Sequence, residues 1–172
     1  MKVEKPKRRK GFTLVELLVV LVIVAIFAFG AWRLYSNHVN SARATKIADE
    51  VSKLQTALTL FNSQTGYYPD SIQELWKNDD GSGNPIPGWS GPYIQPTSPN
   101  ATSLKSGSGA TITVSCDSTN GEAVVFTNVP QKVAEIYDKQ FDNGDLTSGA
   151  ATYDDKNHVL KVMVKEGAVS CI

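Results

Sequence analysis

From Leu17 to Trp32 the chain carries no polar side chain, and upstream only Thr13 and Glu16 interrupt the apolar run that opens at Phe12. Counted from Phe12, the run is about 21 residues, or roughly 30 Å as an α-helix, enough to cross the hydrocarbon core of a bilayer. The pattern then changes period. Ile47, Val51, Leu54, Leu58 and Phe61 recur at spacings of four, three, four and three, which draws one apolar stripe along a helix. Ala42, Ala44, Ala48 and Ala57 favour helix, while Asp49, Glu50 and Lys53 fall off the stripe. No proline occurs between Phe12 and Pro69. The pattern predicts one helix from about Phe12 to Ser63, around 50 residues and nearly 80 Å long, with Gly66 in a helix-ending position. Its outer half needs a surface to bury against, and a small sheet from the same chain is the simplest partner.

Downstream the elements shorten. Gly66-Tyr67-Tyr68-Pro69 gives an extended turn. Asp70 or Ser71 then caps a short helix with Glu74 as capping-box partner and Ile72, Leu75 and Trp76 as its apolar face. Residues 78–110 are rich in Asp, Gly, Ser, Asn, Pro and Thr and read as a long loop between helix and sheet. Thr111–Ser115 alternates as a half-buried strand, the chain turns over Asp117–Gly121, and Glu122–Thr127 returns it. Pro130 opens a helix to about Phe141 with Val133, Ile136, Tyr137 and Phe141 as its buried face. His158–Lys165 is the last strand, with Leu160, Val162 and Val164 on one side. The fold class expected is α+β: a long N-terminal helix, transmembrane in its first half, packed on a small antiparallel sheet head.

Charge sharpens the picture at the N-terminus. Six of the 17 basic residues (Lys2, Lys5, Lys7, Arg8, Arg9 and Lys10) and one of the 17 acidic ones precede Phe12, leaving 11 and 16 beyond it, a net charge of −5. The cations place the N-terminus in the cytoplasm and the head outside. An acidic head without a basic run argues against nucleic acid as a default partner. Two cysteines, Cys116 and Cys171, lie in that head. In an oxidising compartment they read as one disulfide, worth about 4 kcal/mol for a loop of about 55 residues. Two unpaired thiols, or a metal pair without further ligands, are the alternatives.

A secretory signal peptide is cut beyond its apolar core, after small residues. Here that core ends in Ala31-Trp32-Arg33-Leu34-Tyr35, and the small residue, Gly11, sits at the cytoplasmic edge instead. A plain single-pass anchor explains the run and its basic flank. It does not explain Glu16, whose carboxylate costs about 2.5 kcal/mol or more at mid-bilayer and so marks function.

Gly11-Phe12-Thr13-Leu14-Val15-Glu16-Leu17, after a basic leader and before an unbroken apolar helix, resembles the prepilin signature of type IV pilins and type II secretion pseudopilins. The resemblance implies cleavage between Gly11 and Phe12 by prepilin peptidase and N-methylation of Phe12. It implies that Glu16 meets the new amine of a neighbouring subunit during assembly. It also implies residence in the inner membrane, then extraction by an assembly platform with an ATPase into a filament of like subunits. The segments expected are a leader (1–11), an assembly helix (12–33), its amphipathic extension (34–65) and a head (66–172), itself divided into 66–110 and 111–172. Trp89-Ser90-Gly91-Pro92-Tyr93-Ile94 is reminiscent of the major pseudopilin, whereas the region bracketed by Cys116 and Cys171 resembles the disulfide-bounded region of pilins. The expected role is structural. A pilus subunit leads, with the major pseudopilin as an alternative and, from another class, a DNA-binding minor pilin using Lys105, Lys132, Lys139, Lys161 and Lys165.

No catalytic constellation stands out. His38 and His158 have no nucleophile motif to serve, and neither HExxH, CxxC nor a phosphate-binding glycine loop occurs. Asp79–Asn84 lacks the spacing of a calcium-binding EF-hand and reads as a solvated turn. Asp142–Gly149 has oxygens for a cation, but Asx-type turns explain them as well. No cofactor or metal is expected.

Overall fold

The computed structural model describes residues 12–96, 98 and 101–172, except for the side chain of Arg33. Gly11 and the basic leader lie outside the described residues. The chain divides into two compact units, one through His38 and one from Val39 onward.

Helix α1 runs Leu14–Thr65, two residues further than the pattern suggested. Within the first unit its large apolar side chains, from Leu14 to Trp32, are exposed. The helix is long and apolar enough to cross a membrane by length and composition.

In the second unit the same helix becomes amphipathic. Ala44, Ile47, Leu54, Ala57, Leu58 and Phe61 are buried, with Val51 partly so, and they join one core with the sheet. The stripe read from spacing is therefore the face that packs. Helix α1 stops because Gly66 takes φ +81, a conformation that costs glycine little.

Five strands form one antiparallel sheet in the order β1-β2-β3-β5-β4. They are β1 (Leu104–Lys105), β2 (Thr111–Asp117), β3 (Gly121–Thr127), β4 (Ala151–Asp154) and β5 (Val159–Glu166). Helix α2 (Gln131–Phe141) follows β3. Side chains alternate across a strand, so Ile112, Val114, Val124, Phe126, Leu160 and Val162 bury one face. Their register agrees: Ile112 and Leu160 flank Phe126, while Val114 and Val162 flank Val124.

Four local readings change. Residues 72–75 form a single 3₁₀ turn rather than a short α-helix, although Ser71 and Glu74 do make the full capping box. The long loop 78–110 contains β1, two residues recruited by pairing with Ile112 and Thr111. Strand β4 carries too little alternation to announce itself, and its partner β5 makes it a strand. On α2 the buried face is Val133, Ala134, Tyr137 and Asp138. Phe141 is exposed, since it ends the helix and can only lay its ring against Tyr137, 5.3 Å away between centroids.

Candidate functional site

The start of α1 is held by its own side chains. Thr13 precedes the first helical residue, and its hydroxyl accepts a hydrogen bond from the Glu16 backbone N–H at 3.2 Å. Glu16 reaches back, its Oε2 accepting from the Thr13 backbone N–H at 2.9 Å and from the Thr13 hydroxyl at 3.0 Å. This is a reciprocal capping box, Thr-x-x-Glu. Sequence reading gave Glu16 a role between molecules and overlooked Thr13, although the Thr-x-x-Glu spacing was visible. Glu16 thus has intramolecular partners as a monomer, and Phe12 beside it is 90% exposed. The carboxylate and Phe12 lie within one helical turn.

In the head, Trp89–Tyr93 is moored to the end of α1 and to the 3₁₀ turn. The Trp89 indole N–H donates to the Glu74 carbonyl at 2.7 Å, and the Tyr93 N–H donates to the Leu75 carbonyl at 2.7 Å. The hydroxyls of Ser90 and Tyr93 both donate to the Gln64 side-chain carbonyl, the latter at 2.6 Å. The Tyr93 ring meets Phe61 edge-on at 5.4 Å and Trp89 at 5.8 Å. Gly88 lies so close to the helix that a Cβ there would stand 2.3 Å from the Gln64 carbonyl oxygen. Farther along, Glu50 accepts from the Ser106 hydroxyl and the Gly107 N–H, tying the loop before β2 to α1.

Cys116 and Cys171 are joined in a disulfide, which leaves no free cysteine among the described residues. The tail also makes a single parallel β-bridge: the Tyr68 N–H donates to the Ser170 carbonyl, and the Ile172 N–H donates to the Tyr68 carbonyl. The five lysines named for nucleic acid spread over β1, α2 and β5. Of these, Lys132 is paired with Glu135 at 3.0 Å. His38 is exposed on α1; His158 is exposed at the turn before β5, its Nδ1 3.1 Å from the Tyr153 hydroxyl.

Comparison with known proteins meets this geometry at both ends. The family described as the prokaryotic N-terminal methylation motif matches residues 6–32, which include Gly11, Phe12 and Glu16. The family described as type II secretion system protein G matches residues 34–103, the outer part of α1 and the Trp89–Tyr93 mooring. Over these residues the chain is similar to the type IV pilin and pseudopilin family. Among curated relatives of this pilin-like chain, a type IV major alpha-pilin of Moraxella bovis is 34% identical over 59 residues, 33% of this chain and 37% of the pilin. A fimbrial protein of Pseudomonas aeruginosa is 41% identical over 51 residues, 30% of this chain and 33% of that protein. A fimbrial protein of Eikenella corrodens is 37% identical over 51 residues, 30% and 32%. The pilin-like chain spans about a third of the length of these relatives. No solved structure matches it.

Proposed function

We propose that this chain is a prepilin, a structural subunit cleaved between Gly11 and Phe12, N-methylated on Phe12 and polymerised through its apolar helix into a pilus-like filament. The observation that carries the reading is an exposed apolar helix whose first turn presents Glu16 beside Phe12. Cleavage by a prepilin peptidase would create a cationic amine there, and opposite charges attract far more strongly in a low dielectric than in water. The Glu16 of a subunit already in place then selects the axial position at which an incoming amine is neutralised. A slipped position leaves a buried charge unpaired, which costs about 3–5 kcal/mol. Before assembly the subunit sits in the inner membrane with the basic leader inside and the head outside. A membrane platform with its ATPase then draws it into the filament.

The capping box gives this role a sharp test. Glu16→Gln keeps an acceptor for Thr13 but removes the charge, and capping boxes tolerate glutamine at this position. Membrane insertion and cleavage are expected to persist in that variant, with filament incorporation lost. Filaments in normal number would overturn the assembly role. Mass spectrometry of the mature N-terminus tests processing; an intact Met1 in cells that hold the peptidase would leave a simple tether.

A second reading, the major pseudopilin of a type II secretion system, is favoured by the protein G match over residues 34–103. Deletion of the gene with separate assays of surface fibres and of secreted enzymes separates the two.

A further inference from the structure

Glu122, the second residue of β3, lies on the core face of the sheet, opposite Cys116. It is 0% exposed, and neither carboxyl oxygen has a hydrogen-bond partner. Glu74, in the 3₁₀ turn, is 3% exposed; its Oε1 takes the Ser71 N–H of the capping box, while its Oε2 is buried and unpartnered. Buried carboxyl oxygens without donors disfavour the charged form.

What surrounds them is a two-part cover. One part is the segment from Tyr68 to Leu75, and the other is the tail from Ser170 to Ile172, which pairs with Tyr68. The disulfide fastens that tail to β2 beside Glu122. The charges facing Glu122 add to its difficulty. Asp70 and Glu74 on the cover repel its anion, Lys161 on β5 opposes them, and Lys165, exposed near the end of β5, is the residue paired with Glu122 across the sheet. Lys161 pairs with Val125 rather than with a core-facing residue. Glu74 in turn faces Asp70 and Asp80. Asp70 also lies beside the disulfide, its carboxylate within 4.8 Å of both sulfurs.

We propose that Glu122 and Glu74 form a proton-held latch: the cover seals the end of the sheet while they are protonated, and loosens from it as they ionise. The latch belongs to the head alone and stands or falls independently of filament assembly. Burial, first, and the neighbouring acids, second, push the Glu122 carboxyl up to about 8 and that of Glu74 up to about 7. In an opened cover both would return towards the usual carboxylate range near 4.5. The closed state therefore binds protons more tightly than the open one. Below the ordinary value the two states hold the same protons and closure is at its strongest. Closure weakens as pH rises between the ordinary and raised values, by up to tenfold per unit for each proton released. Above about 8 the loss levels off.

Rate of reduction of Cys116–Cys171 by a phosphine, divided at each pH by the rate for a small exposed disulfide so that protonation of the phosphine cancels, reads cover opening in the full mature chain held in detergent micelles. The rate, followed by mass spectrometry from pH 5 to 9.5, is expected to rise by up to about a hundredfold per unit below pH 7, where both carboxyls release protons, by about tenfold per unit from 7 to 8, and to flatten above pH 8. Glu122→Gln, which cannot ionise, is expected to remove most of that rise. A flat wild-type profile, or an equal slope in Glu122→Gln, would overturn the latch. Should Glu122→Gln fail to fold, Glu74→Gln, which keeps its capping acceptor, must reduce the slope between pH 5 and 7, and an unchanged slope overturns the proposal. Calcium chloride and then chelator are added at pH 8.5. Closure by calcium, reversed by chelator, would make the cluster a cation site and overturn the proton latch; indifference to both supports it.

Discussion

Single residues divide here into those whose chemistry is local and those whose surroundings do the work. Thr13 belongs to the first kind. Its side chain satisfies an N–H that the start of any helix leaves free, so Thr13→Ala is expected to cost about 1 kcal/mol of helix stability. Amide exchange at Leu14–Leu17 in micelles should quicken correspondingly, with the head unaffected. Gly121 belongs to the second kind. It sits at φ +115 where β3 begins, and a Cβ there would lie 1.9 Å from the Lys165 carbonyl oxygen. Gly121→Ala therefore combines backbone strain with a clash against an antiparallel partner. It is expected to lower stability by about 3 kcal/mol or more, visible as a large fall in the melting temperature of the head. The glycine is plain in the sequence, but its close neighbour comes from 44 residues further along and cannot be read there.

At the scale of elements, period carried most of the information. The four-three spacing from Ile47 to Phe61 names the buried face of α1 because a helix returns to the same side after that interval whatever it packs on. Alternation did the same for β2 and β5. The two shortest strands, β1 and β4, escaped, because pairing with a neighbour rather than their own pattern makes them strands. Phe61 is the element-scale hinge of the head. It is fully buried on the stripe and meets the Tyr93 ring of the moored loop. Phe61→Ala is expected to cost about 3–5 kcal/mol. The loss should reach beyond the helix, so exchange protection at Trp89–Tyr93 falls together with that of the core.

At the scale of the whole chain, the two units present different surfaces. The first unit exposes its apolar helix, and the second buries its own stripe under a sheet. The disulfide closes a 55-residue separation in the second, and its loss is expected to destabilise the head by about 4 kcal/mol on the chain-entropy account. The double variant Cys116→Ser, Cys171→Ser should shift the urea midpoint of the head downward while α1 within the micelle keeps its helicity. A midpoint equal to wild type would show that the tail is held by its pairing with Tyr68 alone.

By itself, the order of residues determined the helix, its apolar first half, the stripe on its outer half, the antiparallel strands with strong alternation and the prepilin-like N-terminus. Each of these depends on neighbours within a few positions, or on composition over a run long enough to span a bilayer. Only the tertiary structure decided that Trp89–Tyr93 is moored to Gln64 and Leu75, and that Glu122 lies buried without a donor. A strand pattern gives glutamate no warning of what will cover it; that depends on where the tail and the segment after α1 come to rest.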